Sequence, residues 1–294
     1  MGLADRALQG LPLERLDRFL GTSDDYASAR VAIFGVPLDL TTSYRPGARF
    51  GPARLREASY GLEDWSYHQE AGLDEVASCD LGDVALPIGQ LEASLAAVGR
   101  VADRVVSDGK IPFMVGGEHL STLPVLEAVA RRHPDLALVH LDAHADLREE
   151  YLGNRLSHAT VIRRCLEHVA PDRLYQFGIR SGTREEYEYA RRHAHLWPHR
   201  VLEPLRAAVG DLRGRPVYVT LDLDVLDPAF APGTGTPEPG GIDVRELLEA
   251  LRVLGDLRVV GFDLVEAAPD LDPTGRTAVV GALIVREALL AFGR

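Results

Sequence analysis

Two cysteines, Cys79 and Cys165, are all that 294 residues contain, so no disulfide framework holds this chain together. That scarcity suits a reducing, cytoplasmic setting. Long apolar runs are missing too. None approaches the roughly 20 residues a membrane span needs, which argues against a membrane partner. The stretch 1–10 carries an acidic residue and no apolar centre, so it does not read as a signal peptide. Positive charge is in the minority: 32 Lys and Arg stand against 44 Asp and Glu, a net charge of −12. This balance argues against nucleic acid as a partner and is compatible with a cationic small molecule. Linkers, repeats and low-complexity tracts are also lacking. With a hydrophobic share of 46%, the composition is that of a globular protein able to bury a substantial core.

What is present is alternation. Strand-like runs recur at 31–36, 111–115, 136–141, 174–179, 217–221 and 259–264, with weaker ones near 76–81 and 196–202. Between them lie helical patterns. Leu91, Leu95, Val98, Ala102 and Val105 step by three and four, giving an apolar stripe for packing on a sheet. The segments 120–132, 158–169, 184–195, 244–254 and 277–292 read the same way. Alternating strand and helix means βαβ units, right-handed crossovers and a parallel sheet. The pattern predicts an α/β fold of about eight strands, covered by helices on both faces, in one domain spanning 1–294. Two segments, 41–50 and 227–241, have no periodicity and read as polar, Pro- and Gly-bearing loops.

The chemistry sits where the strands end. Leu141-Asp142-Ala143-His144-Ala145-Asp146 follows an apolar run and spaces three metal-ligand side chains at i, i+2 and i+4. In an extended chain residues two apart point the same way. Asp142, His144 and Asp146 therefore converge on one spot. The run 216–221 ends in Asp222-Leu223-Asp224, and 111–115 ends in Gly116-Gly117-Glu118-His119. Alone, an Asp-x-His or Asp-x-Asp is usually a surface turn or a helix cap. Several together beside apolar strands are very costly to desolvate without cations. In open α/β sheets, moreover, ligands bind beyond the carboxyl ends of strands.

These ligands suffice for two divalent cations, with Asp142 and Asp222, each opening its motif, placed to bridge. Oxygen donors with a minority of imidazole suit Mn²⁺ better than Zn²⁺. Two cations about 3.5–4 Å apart lower the pKa of a shared water towards neutrality and make it a nucleophile. Other polar residues keep two readings. His158, opening a helix after Leu156-Ser157, is a capping histidine or a proton shuttle to a departing amine. Glu266 is an ordinary strand-end charge or the partner of a cationic head. Glu149 and Glu150 read as solvated loop charges.

These motifs resemble the ureohydrolase family of arginases and agmatinases, over most of the chain. The resemblance implies a single three-layer α/β/α domain with an eight-stranded, mainly parallel sheet, assembled as trimers or hexamers. It implies two Mn²⁺ per chain, with His119 and Asp146 on one, His144 and Asp224 on the other, and Asp142 and Asp222 between. Ser157-His158 looks like the family's shuttle histidine. The segment 231–237 looks like its substrate loop, with Thr236 near the guanidinium, and Glu266, in Asp263-Leu264-Val265-Glu266, like its guanidinium-binding glutamate.

Within the family the sequence is more similar to agmatinases than to arginases, which follow the second aspartate of the Asp-x-His-x-Asp motif with an Asn-Thr element for the amino acid's carboxylate. Here Asp146 leads into Leu147-Arg148-Glu149-Glu150, and Glu149 and Glu150 suit the distal ammonium of agmatine. The segments 44–52 and 177–182 also look agmatinase-like; Ala159 departs from the glycine usual after the shuttle. The implied reaction is hydrolysis of agmatine to putrescine and urea. Asp146 orients the nucleophile, Glu266 holds the guanidinium and His158 delivers a proton to the leaving amine. The alternatives are hydrolysis of arginine or a guanidino acid, a mononuclear-zinc deacetylase-like amidohydrolase, and a catalytically silent metal-stabilised scaffold. Having His119, Asp146 and Asp224 together argues against the second; the third requires a missing ligand, and none is missing.

Overall fold

The strongest strand patterns become the middle of one nine-stranded sheet in the computed structural model, which describes residues 8–14 and 17–294. The stretch 1–7, part of the segment read for a signal peptide, lies outside the described residues. In chain order the strands are β1 (Leu13–Glu14), β2 (Val31–Val36), β3 (Trp65–Ser66), β4 (Ala71–Gly72), β5 (Ser78–Val84), β6 (Ile111–Gly116), β7 (Ala137–Leu141), β8 (Leu174–Phe177), β9 (His195–Trp197), β10 (Pro216–Asp222) and β11 (Arg258–Val265). They order as β1-β5-β2-β6-β11-β10-β7-β8-β9, with β3 and β4 paired apart as a separate ribbon. Every pairing in the large sheet is parallel except β1 with β5. The expected eight parallel strands are all there. The ninth, β1, is a two-residue antiparallel edge too short to leave a period in the sequence.

The helices are α1 (Gly51–Ser59), α2 (Leu91–Ser107), α3 (Thr122–Arg132), α4 (Val161–Cys165), α5 (Arg184–His193), α6 (Leu202–Leu212), α7 (Val244–Leu254) and α8 (Arg276–Phe292). Strand side chains alternate between two faces, and each face has its own core. Val31 and Ile33 join Leu55 of α1, Leu205 of α6, Leu251 of α7 and Ile284 of α8. Ala32, Phe34 and Val36 join Val98 of α2, Leu126 of α3, Ile162 of α4 and Ala190 of α5. The result is the three-layer α/β/α arrangement, the sheet buried on both sides as parallel sheets require.

Two helices were not predicted. In α1 a proline sits in the first turn, where its missing N–H costs nothing, but Gly51-Pro52 reads as a break. In α6 Pro204 plays the same part, and Leu202, expected to close a strand over 196–202, instead opens the helix. The last helical segment before β8 is also shorter than expected, with α4 ending at Cys165. Among the described residues no helix is long and apolar enough to cross a membrane.

Candidate metal centre and catalytic cleft

Parallel register builds the site. On neighbouring strands His140 of β7 stands beside Thr220 of β10, which stands beside Asp263 of β11. One residue pair further along, each strand reaches its carboxyl end and delivers a polar group. His119 follows β6, Asp142 follows β7, Asp222 ends β10 and Glu266 follows β11. All four are buried.

The donors converge as the spacing requires. His119 Nδ1 lies 3.1 Å from Asp142 Oδ2, 3.2 Å from Asp146 Oδ2 and 3.4 Å from Asp222 Oδ2. His144 Nδ1 lies 2.9 Å from Asp224 Oδ2 and 3.6 Å from Asp142 Oδ1. Ligand atoms of His119, His140, Asp142 and Asp146 form one group, all within 4.8 Å of one another; those of Asp142, His144 and Asp224 form a second. Asp142 belongs to both, as a bridging ligand must. Asp222 reaches the first group through Oδ2, while its Oδ1 accepts the Asp224 amide at 2.8 Å.

Does this fit a pair of cations? His119 Nδ1 is fully buried, has no hydrogen-bond partner and faces three carboxylate oxygens. The other ring nitrogen is held: Nε2 meets Thr220 Oγ1 at 2.9 Å, and that hydroxyl donates to Asp263 Oδ1 at 2.6 Å. An imidazole fixed at one nitrogen and orphaned at the other is arranged as a metal ligand, and the chain behind it sets its orientation. The donors fit.

The buried charges of the cluster shift one another. Burial alone would depress the His119 imidazole, but Asp142, Asp146 and Asp222 outweigh it and hold it well above the ordinary value. Burial likewise opposes, and Asp224 with Asp142 overcomes, a rise for His144. Asp222 is pushed up by burial and by the charges of Asp224 and Asp142. Two imidazoles raised this way stay protonated through neutral pH, so a cation must displace those protons. Loading should therefore release protons and strengthen as pH rises. Calorimetric titration in buffers of different ionisation enthalpy checks this; binding heats independent of the buffer would contradict it.

The remaining expected residues divide. Thr236 lines the cleft, its Oγ1 donating to Asp224 Oδ2 at 3.5 Å. His158 sits on the cleft wall with His144, Asp146 and Tyr151 around about 210 Å³ of space. Glu266 Oε1 accepts the His119 amide at 2.8 Å, and a Cβ on Gly235 of the Pro-Gly loop would stand 3.4 Å from Oε2. Burial, reinforced by the neighbouring Glu118, pushes the Glu266 carboxyl up to about 8.

Glu149 and Glu150 do not reach the cleft. Glu149 is 62% exposed and pairs with Arg163 and, at 2.8 Å, with Arg164 of α4; Glu150 is exposed. The cause lies at Asp146, whose left-handed backbone (φ 52°) turns the chain. The carboxylate that does line the cleft beyond the metal cluster is Glu186 of α5. It is buried, Oε1 accepting Leu147 N at 2.9 Å and Oε2 accepting Thr183 N at 2.7 Å, with Arg148 Nε 3.5 Å from Oε2. In the sequence Thr183-x-x-Glu186 signals only a helix cap, a role it also fills.

His140 is the other residue not singled out. It hides in an apolar run, yet its Nε2 lies 2.7 Å from Asp142 Oδ2 and its Nδ1 3.0 Å from Gln176 Nε2. Its position two before Asp142, on the same strand face, is the signal that marks it. Arg180 ties the site together from outside: its guanidinium donates to the carbonyls of Gly178, Asp224, Val225, Leu226 and Glu238.

Known proteins share this sequence and fold over most of the chain. The family model described as "Arginase family" matches residues 29–291. The chain is 47% identical to an agmatinase from Halalkalibacterium halodurans, over 93% of this chain and 96% of that one. An agmatinase from Bacillus subtilis is 46% identical over the same shares. Among solved structures, the agmatine ureohydrolase of Thermoplasma volcanium superposes with a TM-score of 0.86 at 34% identity, covering 95% of this chain and 94% of that one.

Proposed function

Because the chain belongs to the arginase family, we propose that it hydrolyses agmatine to putrescine and urea, using two Mn²⁺ ions. His119, Asp142, His144, Asp146, Asp222 and Asp224 would hold the pair, with Asp142 shared. When bound, such cations supply Lewis acidity and make water acidic enough to serve as a nucleophile near neutral pH. The observation that carries the reading is the joint placement of this cluster, buried Glu266 beside it and His158 on the cleft wall.

The chain's own groups divide the rest of the work. Glu266 binds the guanidinium: a cation beside Oε2 restores the charge that burial disfavours, so the carboxyl gives up its proton as substrate arrives. Thr236 and the Pro-Gly loop close over that end. Asp146 orients the nucleophile, and His158 passes a proton to the leaving amine nitrogen. Glu186 takes the place that the sequence had given to Glu149 and Glu150, as the carboxylate facing the distal ammonium. The single domain acts in the cytoplasm as a homo-oligomer, a trimer or hexamer. Buried unpaired Cys79 and Cys165 support a reducing compartment.

One observation favours a second reading. Arg148 lines the cleft and is the group there suited to a carboxylate, which points to a guanidino acid such as guanidinobutyrate. Its engagement with Glu186 weakens that reading, since a carboxylate would have to displace it. Urea release from agmatine, arginine and guanidinobutyrate decides the matter. We expect kcat/KM for agmatine to exceed that for arginine by at least about 10²-fold, or ~2.7 kcal/mol, because the α-carboxylate is brought towards buried Glu186. Equal efficiency on agmatine and arginine, or a preference for guanidinobutyrate, would overturn the assignment.

A further inference from the structure

The loop before α1 does more than border the cleft. Its segment 38–43 is fastened to the end of β6, next to the metal ligand His119. Glu118 N donates to Leu38 O at 2.6 Å, and Gly117 leaves no room for a side chain, since a Cβ there would stand 1.9 Å from the same carbonyl. Glu118, fully buried, accepts the Thr41 amide at 2.7 Å and the Thr42 hydroxyl at 3.4 Å. The segment therefore moves with the metal framework.

The same segment grips His158 twice. Thr41 Oγ1 accepts the His158 amide at 2.9 Å, fixing the start of the helical turn. Ser43 Oγ lies 3.2 Å from His158 Nε2, fixing the ring. A hydroxyl is suited to this partner in a way a carboxylate or an ammonium is not. It donates to a neutral ring nitrogen and accepts from a protonated one, so the ring keeps its partner through a cycle of gaining and losing a proton. Tyr151 meets the ring edge-on at a centroid distance of 5.9 Å and makes no hydrogen bond to it among the described residues.

We propose that Ser43 is a positioning residue for His158, holding the shuttle ring by Nε2 in both protonation states while Thr41 and Glu118 anchor its segment to the metal strand. This rests on His158 being the proton shuttle. A ring free to rotate delivers its proton less often, and small misplacements of reacting groups cost large factors.

The test uses the metal-loaded enzyme with agmatine. Ser43→Ala should lower kcat about 10-fold with KM and metal content unchanged, and Ser43→Thr, which keeps the hydroxyl, should recover most of the loss. In a His158→Ala background the Ser43→Ala change should have no further effect, because the residue it positions is gone. Wild-type kcat in Ser43→Ala, or losses that add in the double variant, would overturn the proposal. So would a loss of metal in Ser43→Ala. A His158→Ala enzyme that keeps near-normal turnover would mark the shuttle reading itself as wrong and remove Ser43's role with it. A crippled His158→Ala beside an unimpaired Ser43→Ala would overturn only the positioning role.

Discussion

Asp142→Asn should abolish binding of both cations and lower kcat/KM for agmatine by about 10³-fold or more, equivalent to at least ~4 kcal/mol. Asp142 is the ligand common to both donor groups, so its charge serves both ions. It is fully buried and faces three imidazoles, from His119, His140 and His144. Those neighbours, working against burial, hold it well below the ordinary carboxylate range. An asparagine keeps the shape and can still accept the His144 amide, as Asp142 Oδ1 does now. What it removes is the negative charge, and it turns an N–H group towards rings that also donate. The fold should survive, because the change costs no volume in a region fixed by main-chain bonds. Metal analysis beside circular dichroism checks this: a folded variant that retains two ions per chain would refute the shared-ligand role.

The second large effect is expected at His158. Replacing it with alanine should lower turnover about 10²–10⁴-fold, the usual worth of a positioned acid–base group, and leave both ions in place. Among the described residues its ring and amide hydrogen-bond to Ser43 and Thr41 and to none of the proposed metal ligands. Burial holds its imidazole below the ordinary histidine value. As a proton donor it acts in its charged form, so wild-type turnover should fall as pH rises through a value below the ordinary one, and that fall should vanish in the variant. Near-normal turnover, or loss of metal with the ring, would show that the residue is only a cap.

The clustering of the candidate metal donors was readable because its signal is local. Strand periodicity fixes where a side chain points, and the spacing in 142–146 and 222–224 does the rest. The failures have the opposite character. Glu149 and Glu150 follow Asp146 directly, but direction is lost at a residue whose backbone turns left-handed, and α4 supplies arginines that capture Glu149. Glu186 comes to the cleft from a helix 40 residues away, a contact set by tertiary packing alone. His140 looked apolar because it sits among apolar neighbours on a strand buried on both faces. In the fold, α1 and α6 were lost because proline reads as punctuation although it is harmless in a first helical turn.

Asp146 and Glu266 share a peculiarity: both have left-handed backbone, with φ of 52° and 62°. Aspartate tolerates this conformation better than most residues with a side chain, whereas glutamate does not. Glu266 therefore costs the folded state on the order of 1 kcal/mol or more. Substitution at these two positions is opposed from both sides. A β-branched or bulky replacement fights the main chain, and the glycine that would relax it deletes the carboxylate. Local backbone comfort and chemistry disagree there, and the acid stands against the preference of the main chain.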